Sequence, residues 1–205
     1  LQRAYDQIFH DVCLQKLPVV FAIDRGGLVD RYGETHQGLL DFSFMRNLPG
    51  MTVMAPADTD ELKDMMRFAV KHGAPVSVRY PGATDPRDPR AARRAQPIEH
   101  GKCNVLSEGR DLMIWAAGPL VYNAVKAAAT LKEIGISAGV VNTRFVQPLD
   151  IEAIREQLKK GIRRFVTVEE HNIVSGMGSA FLEAISDEGC SDVSVLRLGV
   201  GESFG

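Results

Sequence analysis

No stretch of this chain approaches the roughly 18–20 uninterrupted apolar residues of a membrane-spanning helix, so no segment is expected to cross a bilayer as one. Charge of one sign is lacking too. Lys and Arg number 24 against 26 Asp and Glu, a formal net charge of -2, without the basic face that nucleic-acid binding requires. Cysteine is scarce and odd in number: Cys13, Cys103 and Cys190 lie far apart and suggest neither a disulfide framework nor a zinc site. Buried thiols in a reducing cytosol are the expectation. There is no G-x-G-x-x-G, so a dinucleotide site has no support. Leu1-Gln2-Arg3-Ala4-Tyr5 resembles neither an initiator segment nor a signal peptide, and Gly199–Gly205 stops in loop composition. Both ends read as cuts in a longer polypeptide.

What is present alternates between strand and helix. Leu1–Gln15 reads as one amphipathic helix, with Ala4, Ile8, Val12 and Leu14 near one another on a face. Pro18–Ile23 is a short apolar run of the kind found in buried parallel strands. A short helix around Leu40–Asn47, a strand at Met51–Ala55 and a helix capped by Asp58 and Glu61 and ended by Gly73 follow. Pro75–Tyr80 is another strand. After Gly101 the alternation resumes: strands at Asp111–Ala117, Ser137–Asn142, Arg164–Glu169 and Asp192–Leu198, and helices at Leu120–Glu133, Asp150–Leu158 and Ser179–Ser186. The fold class is α/β, in two domains, each a mostly parallel sheet covered by helices on both faces. The boundaries expected are 1–82 for the first domain, 83–100 for a linker and 101–205 for the second.

From Pro81 to Pro97 prolines are mixed with Asp85, Arg87, Asp88, Arg90, Arg93 and Arg94. Aspartates alternate with the arginines and no aromatic residue intervenes, so a solvated linker fits better than a nucleic-acid patch. The densest chemistry is Asp24–Gly38, directly after a buried strand, where open α/β sheets place ligands. Its glycines let backbone approach a ligand, Arg25 can pair with a phosphate or carboxylate, and His36 can exchange a proton near neutral pH. A plain surface loop with an uncommitted histidine has the same composition. Gly176-Met177-Gly178-Ser179 opens a helix and reads as a close strand–helix turn rather than an anion site. Glu169 and Glu170 are adjacent on a strand and point to opposite faces, so they do not form a catalytic pair and at least one is structural.

Leu1–Gln7, Ala22-Ile23-Asp24-Arg25, Thr35-His36-Gln37-Gly38 and Val78-Arg79-Tyr80-Pro81, in this order and spacing, resemble the 1-deoxy-D-xylulose-5-phosphate synthase family. Arg144–Asp150, and Val168-Glu169-Glu170-His171 leading to Gly176–Ser179, are similar to the transketolase C-terminal domain. The resemblance implies a thiamine-diphosphate transferase that decarboxylates pyruvate and joins the two-carbon unit to glyceraldehyde 3-phosphate. It implies that Arg3 lies on the cofactor side, that Arg25 holds the acceptor phosphate, and that His36 contacts the reacting carbonyl or hydroxyl. It also implies a homodimer, and a Mg2+–diphosphate site whose ligands and activating Glu lie upstream of this chain. The isolated chain is therefore expected to bind no thiamine diphosphate and to be inactive.

Two segments depart from the family pattern. Tyr32 stands where the family has a substrate-binding Asp, and Asp30 where it has a Gly; both are carried as substrate-side residues. Gly82 replaces a second phosphate-clamping Arg, for which Arg31, Arg87 or Arg90 are candidate substitutes. A different acceptor is the alternative explanation. The alternatives for the whole are the C-terminal half of a transketolase and a non-catalytic regulatory homologue.

Overall fold

The computed structural model describes residues 1–29, 33–82 and 97–202. The chain opens with a 3-10 turn at Gln2–Ala4, a single α turn (α1, Tyr5–Gln7) and a π-helical stretch at Ile8–Cys13. The periodic α-helix expected over Leu1–Gln15 is therefore corrected. Leu14 N donates to Phe9 O at 2.9 Å and Leu17 N to Val12 O at 3.0 Å, both spaced five residues apart. Wider winding places Ile8 and Cys13 together in the core and leaves Leu14 66% exposed.

The first sheet runs in the order β1 (Val20–Ile23), β3 (Val76–Arg79), β2 (Thr52–Met54), β7 (Phe145–Gln147). The first three strands are parallel, whereas β7 pairs antiparallel with β2. That strand comes from the second half of the chain, and its three residues are too few to show a periodicity. Side chains alternate across the sheet. Val53 and Val146 join α2 (Asp41–Arg46), Ile8 and Cys13 on one face. Met54, Val76, Val78 and Phe145 meet Met65 and Ala69 of α3 (Thr59–His72) on the other.

The second sheet has the order β4 (Asn104–Ser107), β6 (Ala138–Asn142), β5 (Leu112–Ala116), β8 (Arg164–Asn172), β9 (Ser194–Val200). All pairs are parallel except β4 with β6. Met113 and Trp115 face α5 (Ile151–Lys159) and α6 (Met177–Asp187), through Ile154 and Phe181. Ile114 and Ala116 face α4 (Leu120–Glu133) through Val121 and Ala124. Helices thus cover both faces of each sheet. The β4 edge was not foreseen, because its four residues are mostly exposed and too few to show a strand pattern.

Both aspartate caps are formed. Asp58 accepts from Glu61 N at 2.8 Å, and Asp150 from Ala153 N at 3.2 Å. The Glu61 side chain reaches one residue beyond the N-cap and into the core. Its carboxylate accepts from Ala57 N at 2.7 Å, Arg144 Nε at 2.7 Å and Asn142 Nδ2 at 2.9 Å. This buried network ties α3 to the β6–β7 corner. The chain re-entering after residue 96 is packed rather than loose: Arg144 Nη1 donates to Pro97 O at 3.3 Å, and His100 Nε2 lies 3.1 Å from Thr52 Oγ1.

Candidate functional site

The chain leaves β1 through Asp24 and Arg25, the latter at φ 56°, a left-handed conformation that a bulky residue adopts only when its surroundings enforce it. The enforcement is visible. Gly26 N donates to Tyr80 O at 2.9 Å, and Gly27 and Gly38 exchange two backbone hydrogen bonds of 2.9 Å each, closing the neck of the loop. Gln37 braces its interior, accepting from Val29 N at 2.6 Å and donating to Gly33 O at 3.0 Å. Glycine is obligatory at the neck: a Cβ on Gly26 would lie 2.3 Å from Arg79 Nε, and one on Gly38 2.3 Å from Arg25 O.

Beneath the neck lies Arg79, only 5% exposed. Its Nη2 donates to Gly38 O at 2.6 Å and Glu170 O at 2.8 Å, and its guanidinium sits 4.6 Å over the Phe42 ring. Asp41 Oδ2 is 3.7 Å from Arg79 Nε. Burial raises the Asp41 pKa, and the neighbouring Arg79 charge opposes the rise.

Above it is an open cleft of about 700 Å3 along the β1 edge. Arg3, Arg25 and His36, which the sequence assigns to separate roles, all line it, together with Asp24 and Asp41. Arg25 and Asp24 approach to 3.9 Å, and Thr35 Oγ1 lies 2.8 Å from His36 Nδ1. A Cβ on Gly82 would come to 3.5 Å from Arg25 Cγ, so this position borders the same arginine. Asp30 and Tyr32, with Arg31, Arg87 and Arg90, lie outside the described residues.

Asp41, Gln37 and Arg79 were not singled out from the sequence. Gln37 and Arg79 stand inside motifs quoted there, but a buried brace has no spacing of its own. Glu169 and Glu170 do diverge. Glu169 is buried and accepts from Met177 N at 2.6 Å and Gly178 N at 2.8 Å, so the start of α6 is occupied by the protein's own carboxylate. Burial nonetheless pushes its pKa up to about 7. Glu170 accepts instead from Leu28 N at 3.2 Å. Among the described residues no group of three or more His, Cys, Asp or Glu side chains converges as metal ligands.

Two family models cover nearly all of this architecture: the transketolase pyrimidine binding domain at residues 1–84 and the transketolase C-terminal domain at 101–202. The chain belongs to the transketolase family. It is 50% identical over its whole length to 1-deoxy-D-xylulose-5-phosphate synthase 1 of Geobacter sulfurreducens, and 48% identical to the synthase of Desulforudis audaxviator. It spans about a third (32%) of the length of each. Among solved structures, a split gene transketolase in an inactive beta4 tetramer superposes with a TM-score of 0.85 at 33% identity, covering 99% of this chain and 64% of that one.

Proposed function

We propose that this transketolase-family chain supplies the acceptor side of a thiamine-diphosphate-dependent transferase that decarboxylates pyruvate and forms 1-deoxy-D-xylulose 5-phosphate from glyceraldehyde 3-phosphate. The observation that carries the reading is the convergence of Arg3, Arg25 and His36 on one cleft beside a glycine-necked loop. Identities of 42–50% to relatives named for that synthase support it. Arg25 holds the acceptor phosphate through its planar fork. His36 contacts the reacting carbonyl or hydroxyl, where an imidazole can exchange a proton with the new alkoxide. Arg3 faces the cofactor side. Asp30 and Tyr32 are carried forward as substrate-side residues. Residues 1–82 and 101–205 act as two domains joined by 83–100. Thiamine diphosphate supplies the decarboxylation chemistry when bound, and its diphosphate and Mg2+ ligands belong to protein outside this chain. The assembly is a cytosolic homodimer.

Turnover by the longer protein that contains this chain tests the reading. With thiamine diphosphate, Mg2+ and glyceraldehyde 3-phosphate, CO2 release from pyruvate with formation of a deoxypentulose phosphate is expected. The likeness to a split gene transketolase favours ketol transfer as the second reading. A ketose phosphate donor consumed without CO2 release would establish that one instead.

A further inference from the structure

The site loop belongs to the first half of the chain, yet the surface it rests on comes from the second. The end of β8 runs beneath both legs of the loop. On the outgoing leg, Glu170 Oε1 accepts from Leu28 N at 3.2 Å. The carboxylate lies flat on Gly27, where a Cβ would be 2.5 Å from Glu170 Cδ. On the returning leg, Asn172 N donates to Leu39 O at 3.0 Å, and Phe42 N donates to His171 Nε2 at 3.1 Å. Between the legs, Arg79 Nη2 bonds Gly38 O and Glu170 O together.

We infer that Glu170 is a positioning residue: from the second unit, it fixes the height and tilt of the loop that presents Arg25 and His36 to the acceptor. The geometry is specific. Glu170 is the side chain of β8 that reaches the outgoing leg, while its backbone carbonyl reaches the buried brace. Displacing Leu28 moves Gly27, and Gly27 is hydrogen-bonded to Gly38, two residues from His36. The part of this inference that concerns substrate rests on the acceptor-site reading above.

The test uses the full-length protein with Glu170→Ala and Glu170→Gln. Hydrogen exchange at the amides of Gly27, Leu28 and Gly38 is expected to quicken about tenfold in Glu170→Ala, as loss of a charge-assisted hydrogen bond implies. Exchange within β8 and α6 should stay unchanged. KM for the phosphorylated aldehyde should rise by a similar factor, with kcat less affected. Glu170→Gln keeps an oxygen for Leu28 N and should restore both. Unchanged loop exchange in Glu170→Ala overturns the inference. Loosened loop amides with an unaltered KM leave Glu170 as the loop's support, and instead contradict the assignment of the loop to the acceptor.

Discussion

Buried charge decides the stability of this protein at a few residues. Glu61 and Arg144 are almost fully enclosed, so removing one leaves the other uncompensated. Glu61→Ala is expected to lower the unfolding free energy by about 3–5 kcal/mol, read from urea midpoints at constant m-value. A loss near 1 kcal/mol would mean that the network is wetter than its geometry implies. Glu169 and His171 make opposing contributions to the pH dependence. Folded Glu169 holds its proton more tightly, at about 7 against an ordinary 4.5, so its contribution is full below 4.5 and fades as pH rises toward 7. Folded His171 holds its proton less tightly, at about 4 against 6.5, so its contribution is full above 6.5 and fades as pH falls toward 4. Its neutral ring already uses both nitrogens, with Phe42 N donating to Nε2 and Nδ1 donating to Asn172 O. Between 4.5 and 6.5 the two slopes oppose each other. Glu169→Gln should therefore make stability rise more steeply with pH across that window, and His171→Asn should make it fall. Parallel curves for both variants and the parent would refute these assignments.

Legibility varies by element in a way that follows from physics. Helices with a side-chain cap and a glycine stop, such as α3 with Asp58 and Gly73, were readable because the signals are local. So were β3, β5 and β6, which are buried on both faces, and β1 and β8, whose shorter apolar stretches are only partly buried. The three-residue β7 and the short, exposed edge β4 carry no such pattern, and their pairing is set by tertiary contacts. The π-helical opening was misread because an apolar spacing of four and a spacing of five differ by one residue. That correction has a measurable consequence. Ile8→Ala should cost about 2–5 kcal/mol, whereas Leu14→Gln should stay within about 0.5 kcal/mol, compared by thermal or urea unfolding. Equal penalties would restore the regular α-helix. That Arg25 and His36 share one cleft was legible because a cation and an imidazole in a glycine-rich loop after a strand are uncommon companions. Arg79 and Glu170 were not, because each acts through backbone groups far away in sequence.

At the scale of the molecule, the two halves are interlocked rather than tethered. Strand β7 extends the first sheet, the Glu61 network bridges α3 and the β6–β7 corner, and β8 underlies the loop. The second half therefore supports the loop beside the cleft, whose described lining residues all come from the first. We propose that the cleft recognises a phosphorylated aldehyde through Arg25. The most direct measurement is kcat/KM of the full-length protein for glyceraldehyde 3-phosphate and for unphosphorylated glyceraldehyde, in the parent and in Arg25→Ala. The parent should prefer the phosphorylated acceptor, and Arg25→Ala should reduce that preference by about 10- to 100-fold, the worth of a charged hydrogen bond, while leaving the unphosphorylated substrate nearly unaffected. An undiminished preference in Arg25→Ala would place phosphate recognition elsewhere and contradict the account.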